Sequence, residues 1–244
     1  MSVPRDEEGS TPQASAPPLT WQERRLSTGR LGPYIDSAGD LERALVLYDW
    51  NVRLAGAFWE VIEGLEVIVR NAMHEALSSA FGVRWFDDSQ RFDSRTDRRV
   101  QSTIERVQER IGPKPVPPGL FVSESSFGLW MGLLEKGGKT SGGAQVLHQD
   151  TLWQPALVNA FPHGPRHQGR TLTVLQWPYQ LRNRIAHHEN LIRPRWVARR
   201  GTQAEMTPDQ VHQVCVIAAG WIEPDAATWL QERSRVLEVL AQRP

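Results

Sequence analysis

One cysteine, Cys215, stands in 244 residues, which excludes an intrachain disulfide framework and a multi-cysteine zinc site and makes a reducing cytoplasm the expected setting. Excess charge of either sign is also missing. Lys and Arg number 28, as do Asp and Glu, so no global field draws this chain to nucleic acid or to an anionic membrane, and any such attraction must be local. Long hydrophobic runs are absent too. The longest apolar stretch, Val214 to Ile222, falls far short of the ~20 residues of a membrane span, so no membrane partner is expected. The opening residues, MSVPRDEEGSTPQASAPPLT, carry acids early and no apolar block, which argues against a secretory signal. Having almost no large apolar side chains, residues 1–20 cannot offset their own ordering entropy and read as a disordered tail.

What is present is enough for a sizeable core: 40% hydrophobic residues, ten of them tryptophan. The spacing predicts a single all-α domain over 21–244. Thr20 caps a short first helix that runs toward Arg30, and Gly32-Pro33 then breaks the chain. Asp40 opens a proline-free stretch, Leu41 to Phe81, with a dense 3.6-residue apolar period. It reads as one helix or two, with Gly56 or Gly64 marking a bend. Within it Glu66, Arg70 and His74 lie four apart. The simplest reading pairs Glu66 with Arg70 in a buried polar network, and a second half-site is the alternative.

Ser94 to Ile111 is a polar helix whose five arginines alternate with acids, as on a solvated face, with RNA contact a minor alternative. GPKPVPPG (112–119) is an extended connector, Phe121 to Leu134 is helical with Ser123 as its cap, and Gly137 to Gly143 is a flexible loop. A helix is expected around Gln149 to Phe161. His163 and His167 are four apart, but the intervening Gly and Pro forbid the helix that would align them on a metal. With Arg166 and Arg170 they form a basic loop suited to a phosphate. Thr207-Pro208-Asp209 starts packing helices that continue, through a last helix opening at Pro224, to about residue 241.

One stretch packs proton-transferring and anion-binding groups together: Leu181-Arg182-Asn183-Arg184-Ile185-Ala186-His187-His188-Glu189-Asn190. Proline favours the first helical position, so Trp177-Pro178-Tyr179 predicts a helix over about 178–190. Leu181, Ile185 and His188 fall on one stripe, expected inward, and Asn183, His187 and Asn190 on another. Arg182 and His187 are turned ~140° apart with ~7.5 Å of rise. One small ligand is therefore met by both only if the guanidinium reaches round or a second copy completes the site. Arg193, Arg195, Arg199 and Arg200 follow closely, concentrating cation in a neutral chain. Histidine can take or give a proton near neutrality, and arginine supplies fixed positive charge for an anionic transition state.

At these residues the chain resembles the Abi-like (abortive infection) proteins of the HEPN superfamily, through Arg182-Asn183-x3-His187 and the AHHE that ends it. Tyr48-x-Trp50-Asn51 and Leu65-Glu66-Val67-Ile68-Val69-Arg70-Asn71-Ala72 look like that family's amino-terminal helices. The resemblance covers roughly residues 40 to 200 by the size of one globular unit. It implies a HEPN-like helical bundle, here with additional helices and long loops. It also implies a metal-independent ribonuclease of phage defence or a toxin, cutting by 2′-hydroxyl attack to leave 2′,3′-cyclic phosphate and 5′-hydroxyl ends.

On that reading Arg182, Asn183 and His187 are catalytic, His188 and Glu189 support them, and Arg184, Arg193, Arg195, Arg166 and Arg170 bind RNA. No metal and no cofactor is expected. Implied partners are RNA, a second copy of the chain anchored by tryptophans such as Trp177 or Trp196, and an antitoxin or immunity protein. In some systems a partner modifies a tyrosine two positions after the motif histidine, where this chain has Glu189. The alternatives are a non-cleaving RNA- or nucleotide-binding module and the regulated toxin half of a toxin–antitoxin pair.

Overall fold

Thr20 is the first described residue and it opens a capping box. Its Oγ1 accepts the Glu23 N–H at 3.2 Å, while the Glu23 carboxylate accepts the Thr20 N–H at 2.8 Å. The structure, a computed structural model, describes residues 20–193, 196–197 and 205–244. The tail expected over residues 1–20 thus lies, apart from Thr20, outside the described residues. The architecture is all-α, with ten α-helices and four two- or three-residue strands among the described residues. No described helix is long and apolar enough to cross a membrane. The chain divides after Tyr48 into two compact units.

In the first unit α1 (Trp21–Leu26) ends at Ser27, whose φ of 68° turns the chain and whose hydroxyl caps α2 (Thr28–Ala38). The break expected at Gly32-Pro33 does not occur, because Pro33 sits inside α2. Proline there deprives only the Gly29 carbonyl of its helical partner, and Gly29 is exposed to water that can replace it. Gly39, with φ 91°, ends α2 by donating its N–H to the Ile35 carbonyl at 2.7 Å. Tyr34 and Tyr48 meet edge-on within this unit. Asp40 then accepts the Arg43 N–H at 2.8 Å and caps α3 (Leu41–Phe81).

Forty-one residues run through α3 as one continuous helix rather than two. Gly64 serves another purpose. A Cβ there would come within 2.8 Å of Leu230, so the glycine admits close approach of a later helix. Leu54, Phe58, Leu65, Val69, Met73 and Leu77, all fully buried, trace the core stripe of the second unit. Two short turns over 85–91 lead to α4 (Ser94–Ile111), capped by Asp93. Trp85 lies against Phe86, Phe92, Phe121 and Trp130 with ring centroids 5.6–6.2 Å away. Its indole N–H donates to His74 Nδ1 at 3.0 Å. His74 is therefore committed to this aromatic cluster.

The helix expected over 121–134 is two: α5 (Pro118–Glu124) and α6 (Phe127–Leu134). Ser125 separates them by donating to the Val122 carbonyl at 2.7 Å while accepting the Trp130 indole N–H at 2.7 Å. The loop expected over 137–143 belongs to a hairpin of β1 (Gly137–Lys139) and β2 (Gln145–Leu147), antiparallel with Gly137 opposite Leu147. Gly137, at φ 88°, is required, since a Cβ would lie 2.5 Å from the Val146 carbonyl oxygen. Around Gln149 to Phe161 there is no α-helix. A π-turn over Gln149–Trp153 and a 3-10 turn over Leu157–Ala160 flank Pro155.

The largest departure concerns α7 (Gln168–Ala186). It begins ten residues before the expected start, with Pro178 in its interior, and ends before His187. Interior proline costs about 3 kcal/mol. Packing against α6 and against α8 (Pro208–Gly220), with Leu175, Trp177, Pro178 and Leu181 buried, offsets it. Short strands β3 (Trp196–Val197) and β4 (Glu205–Met206) pair antiparallel. Thr207 and Gln210 box the start of α8. The last helix expected is also divided, into α9 (Pro224–Arg233) and α10 (Val236–Ala241), where Ser234 Oγ accepts the Val236 N–H. Trp50 Nε1 donates to the Val239 carbonyl at 2.8 Å and ties α10 to α3.

Candidate functional site

Ala186 is the last residue of α7, and the chain leaves it through a Schellman turn. The His188 N–H donates to the Ile185 carbonyl at 2.9 Å, and the Glu189 N–H to the Arg184 carbonyl at 2.8 Å. This turn needs a residue with positive φ, ordinarily glycine, and here that residue is His188, at φ 55°. A side chain in that region costs roughly 1–2 kcal/mol. His187 precedes it as the helix cap, and both histidines are exposed. The inward position expected for His188 is therefore corrected. The stripe that would have buried it ends with the helix, at half-buried Ile185.

Arg184 holds this turn together. Its guanidinium donates to the Asn190 carbonyl at 2.6 Å, lies 3.4 Å from the Glu189 carboxylate and stands over the buried Trp196 ring. Burial pushes Arg184 below its ordinary pKa, with Glu189 opposing. Expected to bind RNA, Arg184 is instead engaged within its own turn, and so is Glu189. The next residue is fastened as well: the Leu191 N–H donates to Asn51 Oδ1 of α3 at 2.6 Å, and both groups are buried. A buried amide of this kind costs about 1–3 kcal/mol if left unpaired, so Asn51 fixes where the motif ends.

Arg182 faces α3. Its Nε lies 3.8 Å from the Glu66 carboxylate and its guanidinium 5.7 Å from the Trp59 ring. The i,i+4 pairing expected between Glu66 and Arg70 is replaced by this contact between helices. Burial raises the Glu66 carboxyl above the usual carboxylate range, against Arg182, Arg70 and the Phe127 N–H, which favour its charge. The Nε atoms of both Arg70 and Arg182 are buried without a hydrogen-bond partner. Buried donors in native folds nearly always have partners, so two orphaned guanidinium donors beside one carboxylate set this place apart from the rest of the core. Trp59 escaped the sequence reading, and Glu66 entered it only with Arg70 and His74, as the alternative of a second half-site. The regular spacing of Glu66 and Arg70 was the one available signal.

The remaining expected residues scatter. Asn183 is half-buried one turn before His187, and Arg193 is exposed near Arg184. Arg195 lies outside the described residues, as do Arg199 and Arg200. Arg166 and Arg170 are exposed at the opposite end of α7, so Arg170 is about 25 Å of helix rise from His187. His167 caps that end, its Nδ1 accepting the Arg170 N–H at 3.3 Å. Trp177 and Trp196, expected as anchors for a second copy, are 5% and 3% exposed and pack inside the chain. Among the described residues no group of three His, Cys, Asp or Glu is placed to hold a metal ion. Comparison with known protein families, with curated proteins and with solved structures finds no match for this chain.

Proposed function

We propose that the protein is a metal-independent endoribonuclease of the HEPN kind, acting in defence against phage or as a toxin. One observation carries the reading: Arg182, with its orphaned Nε beside Glu66, stands on the helix whose end exposes His187. In the proposed reaction His187 removes the proton of a ribose 2′-hydroxyl. The freed oxygen bonds to the adjacent phosphorus, the bond from phosphorus to the 5′-oxygen breaks, and that oxygen leaves with a proton. The products are a 2′,3′-cyclic phosphate and a 5′-hydroxyl. Arg182 supplies positive charge to the phosphorane oxygens. Glu66 orients the guanidinium, and Asn183 contacts the phosphate or the imidazole.

The leaving 5′-oxygen needs an acid, and in a two-fold dimer the second copy of the motif provides one. Because Arg182 is turned to Glu66 of α3 while His187 stands exposed beyond the end of α7, such a dimer is the natural working form. An antitoxin or immunity protein would then act by covering this end of α7.

Purified protein incubated with mixed RNAs in excess chelator, with the cut ends mapped, tests the reading. Cyclic-phosphate and 5′-hydroxyl ends are expected, and a folded His187→Ala protein should lose them. Cleavage that persists in that variant overturns the assignment. RNA binding without cleavage in the wild type would leave the binding-module alternative.

A further inference from the structure

Far from the motif in sequence, one face of α4 lines an open cleft of about 330 Å³ with Arg95, Arg98, Arg99, Ser102 and Arg106, closed on one side by Ser126 at the start of α6. These positions recur at intervals of three and four, so a single helical face carries all four arginines. The acids of α4 are elsewhere: Asp97, Glu105 and Glu109 do not line the cleft. Neither does any other described carboxylate. Glu135 reaches Arg95 from outside at 3.3 Å, but Arg98, Arg99 and Arg106 make no ion pair among the described residues.

Their hydrogen bonds go to neutral groups. Arg98 Nε donates to the Ser94 carbonyl at 3.0 Å, Arg99 to the Gly128 carbonyl at 2.8 Å, and Arg106 to the Ser102 hydroxyl at 3.2 Å and the Glu124 carbonyl at 3.0 Å. These bonds orient the guanidiniums and leave their charge uncompensated. A surface that gathers four cations, three of them seated against carbonyls and hydroxyls, is built for an anion with several negative oxygens. From Arg95 to Arg106 the helix rises ~16 Å, long enough for several phosphates of one strand.

The cleft also has a direction. Ser126 borders it, and the next residue is Phe127, whose N–H acts on the Glu66 carboxyl that meets Arg182. The start of α6 therefore joins the arginine face to the Glu66 and Arg182 pair. We propose that the α4 cleft binds the phosphodiester backbone of single-stranded RNA and leads the strand across the start of α6 to Arg182. RNA, rather than another polyanion, is expected here only on the reading given above for Arg182 and His187. Backbone recognition of this kind is insensitive to sequence, because every phosphate is alike.

Arg98 and Arg106 are exposed and can be changed without opening the core. Binding of labelled single-stranded RNA to the His187→Ala protein is measured across a salt series, with and without Arg98→Gln and Arg106→Gln together. Loss of two phosphate contacts lowers the slope of log affinity against log salt by ~1.4 and weakens binding at low salt about tenfold or more. The corresponding double lysine variant, which retains charge, should keep most of the slope. An unchanged slope in a folded glutamine variant overturns the proposal, as does equal binding of an acidic peptide. DNA of the same sequence bound as tightly as RNA would keep the phosphate site and remove the preference for ribose.

The two readings fail separately. Cleavage by the wild type, together with a salt slope indifferent to Arg98 and Arg106, removes the cleft and keeps the nuclease. An arginine-dependent slope without cleavage removes the nuclease and keeps the cleft.

Discussion

The arginines at the end of α7 and those on the face of α4 differ in what surrounds them. At the end of α7, Arg184 is closed into its own turn by Glu189 and the Asn190 carbonyl, and Arg182 is drawn to Glu66. On α4 the guanidiniums of Arg98, Arg99 and Arg106 lean on carbonyls and hydroxyls and keep their net charge for solvent. Positive charge in a sequence is therefore a poor guide to positive potential on a surface. A buried or half-buried arginine beside a carboxylate shapes a site, whereas an arginine held by neutral groups attracts a ligand.

Exchanging Arg182 and Arg184 in turn is the strongest way to break this comparison. Arg182→Ala should abolish RNA cleavage and also cost about 1–3 kcal/mol, because the half-buried Glu66 carboxylate loses its nearest cation. Arg184→Ala should cost roughly 1–2 kcal/mol by freeing the turn after Ala186. It should leave the salt dependence of RNA binding unchanged, since Arg184 faces inward. Urea melts read the stability, and RNA titrations across salt read the slope. A stable Arg184→Ala protein with a reduced slope would return Arg184 to the RNA surface.

Acid should separate the two regions as well, because the start of α4 rests on a buried histidine. The Asp93 N–H donates to His148 Nε2 at 3.3 Å, and Asp93 Oδ1 in turn caps α4 through the Thr96 N–H at 2.8 Å. Burial pushes His148 below its ordinary value, with Asp93 opposing. The folded state then binds the proton less readily than the unfolded chain. Stability contributed by neutral His148 is complete above the unfolded value of ~6.5 and is lost as pH falls through the lower folded value.

Asp93 is lowered although burial works against it, because its bonds to Thr96 prevail. Its contribution holds above ~3.9 and goes at lower pH still. Melting temperature followed downward from pH 7.5 should fall in two stages, and His148→Gln, which stays neutral, should remove the first. A first stage unaltered in His148→Gln would assign it to half-buried His74 and buried His212, both also lowered by burial.

The smallest effect is expected at His188. Glycine suits its positive φ, so His188→Gly should stabilise the protein by about 0.5–1 kcal/mol while leaving cleavage in place if His187 moves the proton. A more stable protein that no longer cuts RNA would transfer that role to His188.

Local signals were legible without the fold. Thr20, Asp40 and Thr207 announce helix starts, Ser94 to Ile111 reads as helix to the residue, and the period through Leu41–Phe81 shows a long buried helix. Each depends on groups within a few residues of one another, and the all-α class follows from their sum. The candidate site was legible as a list of residue types and not as an arrangement.

What tertiary structure decided lies where distant parts of the chain compete with a local preference. Pro178 favours a helix start, yet burial of α7 against α6 and α8 carries the helix through it. The stripe that would bury His188 ends because Asn51, on another helix, takes the Leu191 N–H. Glu66 prefers its neighbour four residues on, and Arg182 reaches it first. Arg98, Arg99 and Arg106 alternate with acids along the chain, but the helix turns those acids away and α6 closes the other side. Sequence fixes which charges exist and how far they are turned around a helix; only the packing of one helix on another decides which of them remain unneutralised.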